Sequence, residues 1–356
     1  MKKWFIRGSI TFVWLFLFAF TLYAPRWSRF HVDENTLSVF TWGGLIDPEV
    51  VQRFERETGH KVHLSFFSSN EELLAKMRAT KGKGYDLVLP SDYAVRTLIE
   101  EGLLKKLDPL RLRNYSRLHP ALLHHPFDPE SRFSIPFAWE LFGFGVQKDL
   151  LESKDFVPSL KLLFTPHNPP LCIGMTNDPL EAISIASLNL FGKVDALTET
   201  QAQEVKSLLS KQKQWVEAYN HTRPDLLLTS HQCSLVFSPS SYIERAMRQF
   251  SDLAFIPPEE GTFASMEHFC ILAATKKEAL AYQFIDALLD PESVKAHWNS
   301  YALYPVTIDA MDYIECNDRT RAFLSSLNEG FKNWQFYHNL LTDEQQRTLW
   351  IQAKVE

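Results

Sequence analysis

A chain of 356 residues with 45% hydrophobic and 13% aromatic content has enough apolar surface for two domains or two lobes. Its formal net charge of −6 argues against a general nucleic-acid binder and suits a cationic small ligand. No repeat, low-complexity tract or run of like charge breaks the globular composition.

Lys2, Lys3 and Arg7 precede an apolar run from Ile10 to Ala24, the layout of an export signal. The run is shorter than the about 20 residues a membrane span needs. Leu22 is large for a cleavage site and Pro25 follows directly, so residues 1–24 are read as an export signal or an uncleaved anchor. Cys172, Cys233, Cys270 and Cys316 show no Cys-x-x-Cys and no zinc spacing. In an oxidising compartment they allow three disulfide pairings, and buried free thiols fit equally well.

LSVFTW, Leu37 to Trp42, has the composition of a buried strand and is broken by Gly43-Gly44. Asp47-Pro48 predicts a helix start and Gly59 its end. KVHLSFF from Lys61 reads as a second strand, Ser69 and Glu72 as a capping box, and Tyr85 to Leu89 as a third strand. This order implies a parallel sheet with crossover helices, in which ligands gather at the carboxyl ends of the strands. Those ends are Trp42-Gly43-Gly44 and Pro90-Ser91-Asp92-Tyr93.

A helix from about Asp92 leads through a polar stretch to FSIPFAWE, followed by a strand at FGFGV, a crossing between two lobes. Asp178-Pro179-Leu180-Glu181 sets two carboxylates one turn apart at a helix start, which is a cap, a ligand site, or both. A Thr198-capped helix is expected to run through about Tyr219, then a short strand at Leu235 to Phe237 and a helix to about Gln249. LAFIPPEEGTF reads as strand and turn, with a return strand from Phe269 to Ala273. Helices over Lys276 to Leu289 and Pro291 to Ser300, the Tyr304-Pro305 corner, Trp334-Gln335 and a Thr342-capped terminal helix complete the chain.

FTWGGLIDPEVVQRFERETGHKV, YDLVLPSDYAV, FSIPFAW with GFGV, and ALLDPESV with the later YP resemble the polyamine-binding (spermidine/putrescine) periplasmic components of ABC transporters over nearly the whole chain after the signal. The resemblance implies an α/β, two-lobed periplasmic binding protein fold, each lobe a mostly parallel sheet flanked by helices, with the ligand cleft between them. Lobe 1 is expected over 36–140 plus 264–302, and lobe 2 over 141–263 plus 303–356. By the same resemblance Trp42 is an aromatic wall, Ser91 and Tyr93 are the Ser-x-Tyr of the second loop, and Asp178 and Glu181 hold one ammonium end. Glu267 meets amines mid-chain, Phe237 stands where a tryptophan is usual, and Tyr304 and Gln335 complete the ligand set. The pattern departs from the family at Gly44 and Leu45, which replace an acid and a tyrosine, and at Ser265, which replaces a tryptophan. Asp92 and Glu140 are spare acids near the cleft.

The chemistry agrees with the resemblance: a polyamine needs separated carboxylates for its ammonium groups and aromatic faces for its methylenes. Taken singly, Trp42 and Phe237 read as core residues at strand ends before ligand contacts, Ser91-Asp92 as a helix cap, Glu267 and Gln335 as surface groups, and Tyr304 as a turn residue. The implied function is capture of a polyamine in the periplasm and delivery to ABC permease and ATPase subunits, as a monomer with no cofactor, metal or nucleic acid. A receptor-coupled sensor and a carboxylate-dependent hydrolase are the rival classes. Against the hydrolase, the chain has no nucleophile elbow, phosphate loop or metal motif.

Overall fold

The computed structural model describes Trp14 and residues 34–355, apart from 154–155, 167–170, 194, 221–222 and 327–333. The expected export segment, Trp14 excepted, lies outside the described residues, and no described helix is long and apolar enough to cross a membrane.

The first β-α-β-α-β unit forms where its caps place it. β1 (Thr36–Trp42) is followed by Asp47, which accepts the Glu49 amide at 2.7 Å and starts α1 (Pro48–Thr58). Gly59, at φ +73°, ends that helix in a conformation a side chain disfavours. After β2 (Lys61–Phe67), Ser69 accepts the Glu72 amide and caps α2 (Asn70–Thr80), while the Glu72 carboxylate reaches the amide of Ser68 rather than that of the cap. β3 (Leu87–Val88) leads into α3 (Asp92–Glu100), and β1 lies between β2 and β3, parallel to both.

FSIPFAWE and FGFGV belong to one strand, β4 (Ile135–Gln147), because no turn residue separates them and a register shift at Pro136/Ala138 absorbs the proline. Beyond it come β5 (Ile173–Thr176), α4 (Pro179–Phe191), α5 (Glu199–Gln212), β6 (Val216–Asn220), β7 (Leu235–Pro239), α6 (Ser240–Met247) and β8 (Leu253–Ile256). β9 (Thr262–Ile271), α7 (Glu278–Leu288), α8 (Pro291–Tyr301), β10 (Tyr304–Pro305), β11 (Trp334–Phe336) and α9 (Asp343–Val355) follow. Two expectations are corrected here. The Thr198-capped helix ends at Gln212, and VEAYN, with its β-favouring Val216 and Tyr219, pairs with β5 as a strand. The return strand begins at Thr262, seven residues before Phe269, because its early part pairs with β4 and β11.

The strands run β2-β1-β3-β9-β4-β7-β5-β6. Parallel triplets sit at the two ends, and the long antiparallel strands β4 and β9 join them. β4 pairs with β9 over Ile135 to Leu141 and with β7 over Phe142 to Val146, so one strand serves both halves. The result is a two-lobed α/β fold. Residues 304–313 lie against the first half: Arg117 pairs with Asp309, and the His119 amide donates to the Val306 carbonyl.

Candidate functional site

A cleft of about 370 Å³ opens where the carboxyl ends of β1 and β5 face each other, with β9 and the start of α9 closing it. Trp42, Asp92 and Tyr93 line it from the first half, and Asp178 and Glu181 from the second.

Trp42 ends β1, and its indole N–H donates to Glu267 Oε2 at 2.8 Å. The Ser91 hydroxyl donates to the other oxygen, Oε1, at 2.7 Å. Three predicted residues thus converge, with β9 delivering Glu267 beside the loop after β3, where Ser91 and Glu267 form a β-bridge. Burial pushes the Glu267 carboxyl up to about 8, the two donors oppose that shift, and the charge of Glu140 adds to it. Tyr93 donates to Glu71 Oε1 at 3.0 Å, and burial together with the Glu71 charge raises its hydroxyl pKa.

On the opposite wall Asp178 accepts the Glu181 amide at 3.1 Å and caps α4, with Pro179 in the first turn. Thr176 ties the pair together: its hydroxyl donates to Glu181 Oε2 and accepts the Asp178 amide at 3.1 Å. Burial, then the charges of Asp178 and Glu140, hold the Glu181 carboxyl well above the usual carboxylate range. Glu140 is enclosed. It accepts from the Ser241 hydroxyl at 2.5 Å, and burial raises its pKa too. Asp92 is 1% exposed at the head of α3, where its carboxyl faces the amides of Asp92 and Tyr93 but meets neither at good hydrogen-bonding geometry. Burial and the Glu267 charge raise it strongly.

Phe237, Tyr304 and Gln335 stand away from this cleft. Phe237 is 1% exposed in the lobe 2 core, edge-on to Phe144 at 5.5 Å between ring centres. Tyr304 is also 1% exposed, packs on Trp139, and donates to Glu244 at 3.1 Å beside a separate, mainly apolar cavity. Gln335 lies in β11, opposite Phe263. Sequence reasoning missed Tyr337, whose ring stacks on Phe263 at 4.5 Å and meets Phe142 edge-on at 5.0 Å while lining the cleft. Its only signal was its place just after Trp334-Gln335. Glu71 and Asp343 were missed as well.

Among the described residues, the cleft lining therefore carries Glu71, Asp92, Asp178, Glu181 and Asp343 against a single cation, the exposed Arg347. Burial raises carboxyl pKa values on both walls, at Asp92 and at Glu181, and a cation between the walls would lower them. Among the described residues no group of acids, histidines or cysteines is arranged to hold a metal ion.

This fold and cleft define a solute-binding protein, and the chain belongs to the bacterial extracellular solute-binding proteins, whose family model matches residues 49–318. It binds rather than transforms its solute, as that family does, so the hydrolase reading falls. The chain is 32% identical over 269 residues to the spermidine/putrescine-binding periplasmic protein of Escherichia coli, covering 74% of this chain and 75% of that one. It is 28% identical over 299 residues to the putrescine/cadaverine-binding protein of Pseudomonas aeruginosa, covering 81% and 84%. The crystal structure of the spermidine/putrescine ABC transporter substrate-binding protein of Streptococcus pneumoniae matches with a TM-score of 0.75 at 22% identity, over 90% of this chain and 98% of that one.

Proposed function

We propose that this protein captures a polyamine of the putrescine or spermidine class outside the cytoplasm and delivers it to an ABC permease and its ATPase. The observation that carries the reading is the interlobe cleft, whose acids come from both walls and whose one cation among the described residues is exposed. An ammonium between the walls would ionise the raised carboxyls and hold the lobes together, the closed form a permease recognises.

In this reading Asp178 and Glu181 anchor one ammonium end, and Glu267, oriented by Trp42 and Ser91, meets the amines mid-chain. Trp42 and Tyr93 cover the methylenes, each cation–π contact contributing about 0.5–2 kcal/mol. Phe237 supports the lobe 2 core, Tyr304 packs on Trp139, and Gln335 stands in β11, so none of the three belongs to the set that lines the cleft. Lobe 1 comprises 36–140 with 264–302 and lobe 2 comprises 141–263 with 303–356, except that 304–313 pack on lobe 1. The protein acts as a periplasmic monomer, with residues 1–24 as its export signal or anchor.

Isothermal titration of the protein lacking residues 1–24 with putrescine, spermidine and spermine tests the reading. Saturable heat with at least one amine is expected. A folded protein giving none would refute the polyamine assignment and leave the family intact.

A further inference from the structure

We propose that Cys172 and Cys233 close a disulfide that pins the outer edge of the lobe 2 sheet to its centre; this rests on the export reading above, since the bond needs an oxidising compartment. The two sulfurs lie 3.0 Å apart. That is inside the about 3.5–4.0 Å at which even carbon atoms settle in van der Waals contact. Cys172 precedes β5 and Cys233 precedes β7, and these strands run parallel with Ile173 level with Leu235, so the residues just before them stand side by side. The four cysteines allow three pairings on sequence alone, and the fold selects this one. Cys270 sits in β9 beside β3 and packs with Phe40 and Val88, while Cys316 follows α8 and packs against a different cluster.

The bond falls at the narrowest junction of the lobe 2 sheet. In the order β4-β7-β5-β6, β4 holds β7 along its whole length, Leu235 to Pro239. Among the described residues β5 pairs with β7 at Ile173 and Gly174 alone. Through that short pairing the sheet carries β5, β6 and the Asp178–Glu181 wall that follows β5. The two cysteines are 61 positions apart, and a cross-link over so long a loop restricts the unfolded chain strongly. Burial, and then the neighbouring Cys172, push the Cys233 thiol pKa up. A redox-active pair has a lowered one, so this bond is structural rather than catalytic.

Oxidation runs by exchange with a disulfide oxidant. One cysteine sulfur attacks the oxidant and releases a first thiol. The other attacks the mixed disulfide and releases the second, so the S–S bond forms while two electrons and two protons leave with the reduced oxidant. A sulfur movement of about 1 Å completes the bond.

The test compares full-chain protein isolated from the extracytoplasmic fraction of expressing cells with reduced, folded protein incubated with oxidised glutathione. Each is denatured without reductant, its thiols are titrated and its peptides mapped. Two titratable thiols and a peptide cross-linked through Cys172 and Cys233 are expected in both. A cross-link in either arm supports the pairing, and one seen only with glutathione counts against the export reading. Four thiols in both arms, glutathione held singly on either cysteine, or a cross-link to Cys270 or Cys316 overturns the pairing. The Cys172→Ser/Cys233→Ser variant should melt about 5–10 °C below the oxidised wild type, and reduction of the wild type should reproduce that shift. Amide hydrogen exchange in Ile173–Thr176 and Val216–Asn220 should quicken by about 10-fold or more on reduction. A reduced wild type that melts with the oxidised form and exchanges at the same rate shows that the bond does not pin this edge, and overturns the proposed role.

Discussion

Asp178 and Glu181 show how one short motif serves two purposes at the residue scale. Asp178 spends one oxygen on the Glu181 amide, which fixes its orientation, and both carboxylates still line the cleft. Thr176 fixes Glu181 in the same way, so the pair is set before ligand arrives. The double change Asp178→Asn and Glu181→Gln keeps a capping side chain and removes both charges. It should weaken polyamine binding by about 100-fold or more in titration while the ligand-free melting temperature holds or rises. Asp178→Ala differs in sign for stability: losing the cap should cost about 1 kcal/mol in denaturant unfolding as well as affinity.

The element that organises the molecule is β4, which pairs with β9 in its first part and with β7 and β8 in its second. Its glycines are there for space. A Cβ on Gly143 would lie 2.8 Å from the Ile256 carbonyl and 2.7 Å from the Phe255 ring, so β8 could not keep its place. Gly143→Ala should destabilise the protein by about 1–3 kcal/mol in urea unfolding. Polyamine affinity of the folded fraction should change little, because the clash lies on the β8 side of the strand. A variant as stable as wild type would show that β8 yields more readily than its backbone pairing with Gly145 and Val146 implies.

At the scale of the whole molecule, the buried acids in and behind the cleft couple charge state to stability. Glu267, raised to about 8 in the folded protein, binds more protons folded than unfolded between its ordinary value of about 4.5 and 8. Its contribution to stability is therefore complete below about pH 4.5 and is lost as pH rises through 8. The raised carboxyls of Asp92, Glu140 and Glu181 act in the same direction. The ligand-free melting temperature should fall by several degrees between pH 5 and pH 8 relative to a Glu267→Gln variant. Polyamine affinity should rise over the same interval, because the bound ammonium requires the ionised acid. Titration at pH 7 in two buffers of different ionisation enthalpy should show net proton release on binding.

Much of this was legible along the chain because it depends on near neighbours. Asp47-Pro48, Ser69-Glu72 and Asp178-Pro179 mark helix starts through bonds spanning two to four residues, and each helix begins where those residues place it. The acid pair, the carboxyl ends of β1 and β3, and the resemblance in motif order were likewise visible without coordinates. Tertiary structure decided what depends on partners distant in sequence. It joined two apolar segments into β4, turned VEAYN from helix to strand beside β5, and brought Glu267 225 residues along the chain to the Trp42 indole. It enclosed Glu140 and Asp92 and left the Tyr337 hydroxyl buried without a partner. It placed Phe237 and Tyr304 in packed aromatic surroundings away from the cleft. Whether a side chain caps, packs or awaits a ligand is set by the groups that surround it after burial, and burial is a property of the assembled lobes rather than of any local stretch.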